Sequence, residues 1–299
     1  MWLRILSILL ALSLTLVVFA FAETSRSDAL SRDTSPWADP EKSKSEKMLA
    51  ELKADLGREF SYTTSGPWII ATDLDKEQTD AIVAHTIGEY AAAIQRQLFT
   101  KARVTEPLKV LLFKDGESYT AWNMKLFNEK PTSPYGYFSR TKHALVMNIG
   151  TGGGTLVHEM THAMAEADFP SIPAWLNEGL GSLFEAPSKV VGGRGRVVGI
   201  KNWRLRSLLD DLAKGSAVHY RDLIGIADAD FYGEHRSANY ASMRYLMQWL
   251  QEKGKLETFY ARIRDGKGER PQDALRAVFD NAYTVDEIET QVYAWVKTL

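Results

Sequence analysis

The sequence predicts an α+β fold, with an αβ half over residues 48–168 and a mainly helical half over residues 169–299. Two observations carry this. Up to residue 150, short β-branched or aromatic runs alternate with longer stretches of helical periodicity. After residue 172, apolar residues recur almost throughout at three- and four-residue spacing, the signature of amphipathic helices packed on a core. The two halves meet at an apolar helix that carries two histidines, and a cleft between them is the natural seat of a ligand site.

Ahead of both halves stands a leader-like segment. Arg4 precedes the apolar run Ile5 to Phe21, and Ala20-Phe21-Ala22 fits a small-x-small cleavage site. Residues 1–22 are expected to be a signal peptide cut before Glu23. The competing reading is an uncleaved anchor, since the run approaches the lower limit for a membrane span. Either way the body of the protein is expected outside the cytoplasm, periplasmic or extracellular, and nothing later in the chain is long and apolar enough for membrane insertion. Residues 23–47 are rich in Ser, Asp, Lys and Pro and read as a flexible tether, either a linker or an inhibitory segment.

The elements follow in order. Met48 to Phe60 suggests a short helix ended near Gly57, and Trp68 to Thr72 a strand. Asp75 and Gln78 have capping-box spacing, and Val83, Ile87, Tyr90, Ile94 and Leu98 then form one stripe of a long helix. His85 lies off that stripe and reads as a solvated or half-buried helix residue, not a ligand. Leu108 to Phe113 is a second strand, and Asp115 to Phe127 a helix packing Tyr119, Trp122 and Leu126. Tyr135 to Phe138 and Ala144 to Ile149 are two short strands joined by a polar turn holding an exposed His143. Gly150 to Gly154 lacks the Lys-Ser/Thr of a phosphate loop, so it reads as a turn that lets strand and helix pack closely.

Beyond the histidines, Pro173 is placed to start a helix running through Glu185. Val190 to Ile200 flanks glycines with valine pairs and reads as a mobile surface hairpin, with substrate contact by Arg194 and Arg196 as the competing reading. Helices are then expected over Trp203 to Lys214, Ala238 to Lys253 and Lys255 to Ile263, with another from Pro271. A last helix follows the capping box Thr284/Glu287.

Composition removes several functions. With 36 Lys+Arg against 38 Asp+Glu, the formal charge of −2 leaves no basic field to hold nucleic acid. The absence of cysteine removes disulfides, cysteine-type zinc sites and thiol nucleophiles.

The chemistry-bearing stretch is His158-Glu159-Met160-Thr161-His162. Four helical residues advance about 400°, so the two imidazoles fall about 40° apart on one face and can share one Zn²⁺. Glu159 then faces the open coordination position, where it can take a proton from water. A catalytic zinc needs a third protein ligand. Glu178, at 178 − 162 = 16 positions further on, lies in the next helix, where Trp175, Leu176 and Leu180 imply burial. A buried carboxylate without a partner would be costly, so Glu178 is the expected third ligand.

His158-Glu159-x-x-His162 followed by Asn177-Glu178-Gly179 resembles the gluzincin metallopeptidases. Thr155 to His162 and Pro173 to Leu180 resemble more narrowly the bacterial peptidase-MA-like proteins, over roughly residues 108 to 250. The resemblance implies a zincin, thermolysin-like αβ lobe with a mixed sheet, and one Zn²⁺ per chain on His158, His162 and Glu178, with Glu159 as general base and acid. It further implies that the strand before the histidine helix is a sheet edge binding extended peptide through Ala144, Val146 and Asn148. That segment lacks the glutamate with which gluzincin aminopeptidases hold a free amine, which favours an endopeptidase. A tyrosine or histidine from a later helix is implied as hydrogen-bond donor to the oxyanion. Tyr240 matches, with His219 and His235 as rivals.

The expected function is thus zinc-dependent hydrolysis of a peptide or protein substrate. Two other functions compete: a non-catalytic envelope module for binding or assembly, against which Glu159 speaks, and zinc amidase chemistry on cell-wall peptide.

Overall fold

The computed structural model describes residues 37–131, 133–186, 190–191 and 196–299, the pair 190–191 as backbone alone. The leader and most of the tether therefore lie outside the described residues, as do Gly192 to Gly195 with Arg194. No helix among the described residues is long and apolar enough to cross a membrane.

The fold is α+β, built on a mixed five-stranded sheet. Helix α1 (Lys42–Leu56) precedes β1 (Ser61–Ser65) and β2 (Trp68–Thr72). The helix begins six residues earlier than its periodicity suggested, inside the stretch read as tether. It ends as expected at Gly57, whose φ of 79° suits a residue without Cβ. Strand β1 escaped sequence analysis because Ser-Tyr-Thr-Thr-Ser carries no apolar run. It is an edge strand, which needs only one paired side.

A continuous helix follows: α2 (Lys76–Ala81), a wider-turned stretch Ile82–Ala91 and α3 (Ala92–Gln97). Asp75 caps it by accepting from the Gln78 amide at 2.8 Å. Ile87, Ile94 and Leu98 of the expected stripe are buried. Next come β3 (Leu108–Phe113), α4 (Gly116–Phe127), β4 (Gly136–Ser139) and β5 (Ala144–Asn148). The strand order is β1-β2-β3-β5-β4, with β2, β3 and β5 parallel and β1 and β4 antiparallel at the two edges.

This order corrects the expected substrate strand. β5 is paired on both sides, so it offers no free edge; the edge is β4. The alternation of the strand matters too. Ala144 and Val146 belong to the core layer shared with α1 and α4, whereas Leu145 and Met147 face the layer of the histidine helix. Asn148 shares the parity of Ala144 and Val146 and hydrogen-bonds the Pro134 carbonyl. None of the three side chains is turned toward the histidines.

The histidine helix α5 (Gly154–Asp168) covers one face of the sheet, followed by α6 (Ala174–Phe184). A two-stranded hairpin, β6 (Val190–Val191) and β7 (Arg196–Val197), agrees with the paired valines. The rest is helical: α7 (Arg204–Lys214), α8 (Tyr220–Leu223), α9 (Asp228–Phe231), α10 (Arg236–Glu252), α11 (Leu256–Asp265), α12 (Pro271–Ala277) and α13 (Val285–Val296). The Thr284/Glu287 capping box is present in full. The four-residue helices α8 and α9 are too short to show a period and were not foreseen. One apolar core runs from Trp68 on β2 through Leu156, Trp175 and Leu246 to Val296 on α13.

A candidate metal centre

Two helices build the site. Both histidines of α5 point at α6, where Glu178 meets them. His158 Nε2 is 3.1 Å and His162 Nε2 3.4 Å from Glu178 Oε2. The three side chains are buried, each 7% exposed, and offer ligand atoms lying within 4.8 Å of one another. The group could hold a metal ion.

The glycines of α6 make this approach possible. A Cβ on Gly181 would sit 2.9 Å from His158 Nε2, and one on Gly179 would press at 3.2 Å on Met243 and Met247 of α10. At the start of α5, a Cβ on Gly154 would lie 2.0 Å from the Glu185 carbonyl oxygen. The glycine-rich turn thus lets the histidine helix start hard against the end of α6, a helix-to-helix approach where the sequence suggested one between strand and helix.

The outer nitrogens of both rings are engaged. His162 Nδ1 is 2.9 Å from Asn177 Oδ1, and His158 Nδ1 is 3.4 Å from Glu185 Oε2. An acceptor at Nδ1 holds a proton there and turns Nε2 toward the common centre, where a metal can take it once its own proton is displaced, the usual arrangement behind metal-binding histidines. Glu185 is itself gripped by Arg204, at 2.7 Å from Nε, and by Asn202 at 2.8 Å. No sequence pattern marks Asn177, Glu185 or Arg204 as site residues. Asn177 adjoins the third ligand and could have been found there. The Glu185–Arg204 pair spans the hairpin and has no sequence signal.

Charge in this pocket follows from its neighbours. Burial disfavours a charged His158, but Glu178 and Glu185 outweigh it and push its pKa up to about 10. His162 is raised against burial by Glu178. Burial works against Glu178 too, yet the two histidines hold it well below the usual carboxylate range. Glu185 is pulled to about 2 against burial by His158 and Arg204. The cluster is built around positive charge between two imidazoles and a carboxylate, which a divalent metal answers by displacing protons. Two imidazole nitrogens and one carboxylate oxygen, with both imidazoles oriented from behind, fit zinc.

Glu159 lies beside the ligands on α5. Its Oε2 accepts from the Phe138 amide of β4 at 3.0 Å. Asn148 N donates to the Tyr135 carbonyl, so the odd residues of β4 bond to β5 and Phe138 turns its amide outward to the free edge.

Tyr240 on α10 is half-buried. It packs on Phe231, with ring centroids 5.4 Å apart, and under the Arg204 guanidinium at 5.0 Å. Burial and then the Glu178 charge raise its phenol above the ordinary value. Of the rivals, His219 is held by Glu289 at 2.9 Å, and His235 is an exposed residue ahead of α10. A second tyrosine had no such signal: Tyr232, after the unforeseen α9, donates to Glu178 Oε1 at 2.8 Å. His85 and His143 are exposed, as their sequence positions suggested.

No curated protein matches the chain. Residues 153–273, from the glycine turn through both helices of the site to the start of α12, match the DUF1570 family, described as a protein of unknown function.

Proposed function

We propose that this chain is an exported zinc-dependent peptidase of gluzincin type, more an endopeptidase than an aminopeptidase. The observation that carries the reading is the pairing of Asn177 and Glu185 behind the two histidines, with the Nε2 atoms converging on Glu178. A histidine–glutamate cluster kept for stability alone has no need of oriented Nε2 atoms and an adjacent carboxylate such as Glu159.

His158, His162 and Glu178 would hold the metal, which supplies Lewis acidity to the attacking water and the scissile carbonyl. Glu159 takes the proton of that water and returns it to the leaving amine. Tyr240 donates a hydrogen bond to the oxyanion that develops on the substrate carbonyl. The outward backbone groups of β4, the Phe138 carbonyl among them, pair with an extended peptide main chain, in place of the buried β5. The zincin lobe arrangement belongs to the same proposal and is supported by a mixed sheet with an antiparallel edge strand beside the histidine helix.

The test is incubation of the zinc-reconstituted protein with a mixed peptide library. Internal cleavage that stops with chelator and returns with zinc is expected, at about one zinc per chain. A folded, zinc-loaded protein that cleaves no library peptide, but hydrolyses amide bonds of cell-wall peptide or does nothing, would overturn the peptidase reading.

A further inference from the structure

The two oxygens of Glu178 do different work. Oε2 is turned to the histidines, at 3.1 and 3.4 Å from their Nε2 atoms. Oε1 accepts the Tyr232 hydroxyl at 2.8 Å. Carboxylates bind metals through one oxygen or through both. A catalytic site with three protein ligands depends on a position left open. If both Glu178 oxygens turned to the metal, that position would be narrowed or filled.

Tyr232 is held for this contact. Tyr232 is 46% exposed, at the rim of the site, whereas the Glu178 it reaches is buried. The adjoining Phe231 is fully buried, and its carbonyl accepts from Asn239 of α10 at 2.9 Å. Asp228, at the start of α9, accepts from the Ala174 amide at 2.8 Å and so ties the segment to the helix that carries Glu178. A tyrosine that merely covered the surface would need none of these ties.

With the metal-binding reading of the site as premise, we infer that Tyr232 is a positioning residue that keeps Glu178 a one-oxygen ligand and thereby keeps a coordination position open. Tyr240 of α10 flanks the same segment, its ring centroid 5.4 Å from that of Phe231.

Cobalt(II) in place of zinc reads the coordination number directly, because its visible bands weaken and shift when a four-coordinate site becomes five-coordinate. The full-length protein, Tyr232→Phe and the double variant Tyr232→Phe/Tyr240→Phe are loaded with cobalt alone. Their spectra are recorded, and the metal is titrated against a chelator. The unsubstituted protein is expected to show the stronger four-coordinate bands. Tyr232→Phe should show weakened, shifted bands with cobalt affinity held or improved, because the freed oxygen joins the metal; the double variant should shift at least as far. A partner that only orients its ligand would behave otherwise, with affinity falling about 10–100-fold and the spectrum unchanged. That result, or an unchanged spectrum at unchanged affinity, overturns the inference. If the unsubstituted protein takes up no cobalt and no zinc, the metal reading itself fails, a result distinct from any change between variants.

Discussion

Glu159 and Gly181 show how much rests on single atoms. Glu159 stands beside the three candidate ligands without being one, and Glu159→Gln keeps its shape while removing its basicity. The variant is expected to keep one zinc per chain and lose peptidase activity by about 10²–10⁴, the scale of a general base. Metal analysis beside a rate measurement checks it, and an equally active variant would send the base elsewhere. Gly181 has no chemistry at all, yet a methyl there would sit 2.9 Å from His158 Nε2. Gly181→Ala should lower metal affinity more than it lowers the melting temperature of the metal-free protein. A chelator titration against a thermal melt separates the two. The motif pair itself was legible in the sequence because helical spacing alone brings His158 and His162 to one face. Glu178 was legible because a buried carboxylate calls for a partner. Tyr232 was not, since a lone tyrosine after a four-residue helix has neither period nor motif.

At the scale of elements, α6 does more than carry the third candidate ligand. Asn177 and Glu178 face the histidines, Gly179 admits α10 and Gly181 makes room for His158. Glu185 closes the helix against the start of α5. Its N-terminus is capped from another element, through Asp228. Asp228→Ala is therefore expected to cost about 0.5–2 kcal/mol, the range of a lost cap. It should appear as a lower urea midpoint with an unchanged slope. An unaltered midpoint would show that the cap adds nothing. The sheet teaches a different lesson. The periodicity of Ala144 to Ile149 located a strand correctly but could not say how many neighbours it has. That depends on β4 folding back outside it, and on β3 arriving from thirty residues away.

For the whole molecule, the proposed metal site would link metal to stability. Without metal, the stabilisation from protonated His158 is complete below its ordinary value of 6.5 and is lost as the pH rises through about 10. The stabilisation from ionised Glu185 is present above its ordinary 4.5 and is lost as the pH falls through about 2. The melting temperature of the chelated protein should therefore decline between pH 7 and 10. The zinc-loaded protein, whose bare nitrogens need no proton, should decline less. Parallel curves for the two forms would contradict this coupling of site and fold.

What the sequence determined by itself is whatever local geometry enforces. The i, i+4 histidines, the caps at Asp75 and Thr284, the glycine turn before α5 and the α+β class all follow from spacing within a few turns. What only the tertiary structure decided is whatever needs two distant segments at one point. The edge passed from β5 to β4 because strand order is a property of the sheet and not of the strand. Glu185, Arg204, Tyr232 and Tyr240 reach the site from four separate elements, and no local rule records that α10 packs on α6 or that α9 is tied to its first turn. Side chains that orient a ligand act at 3 Å in space, a distance the linear chain does not encode.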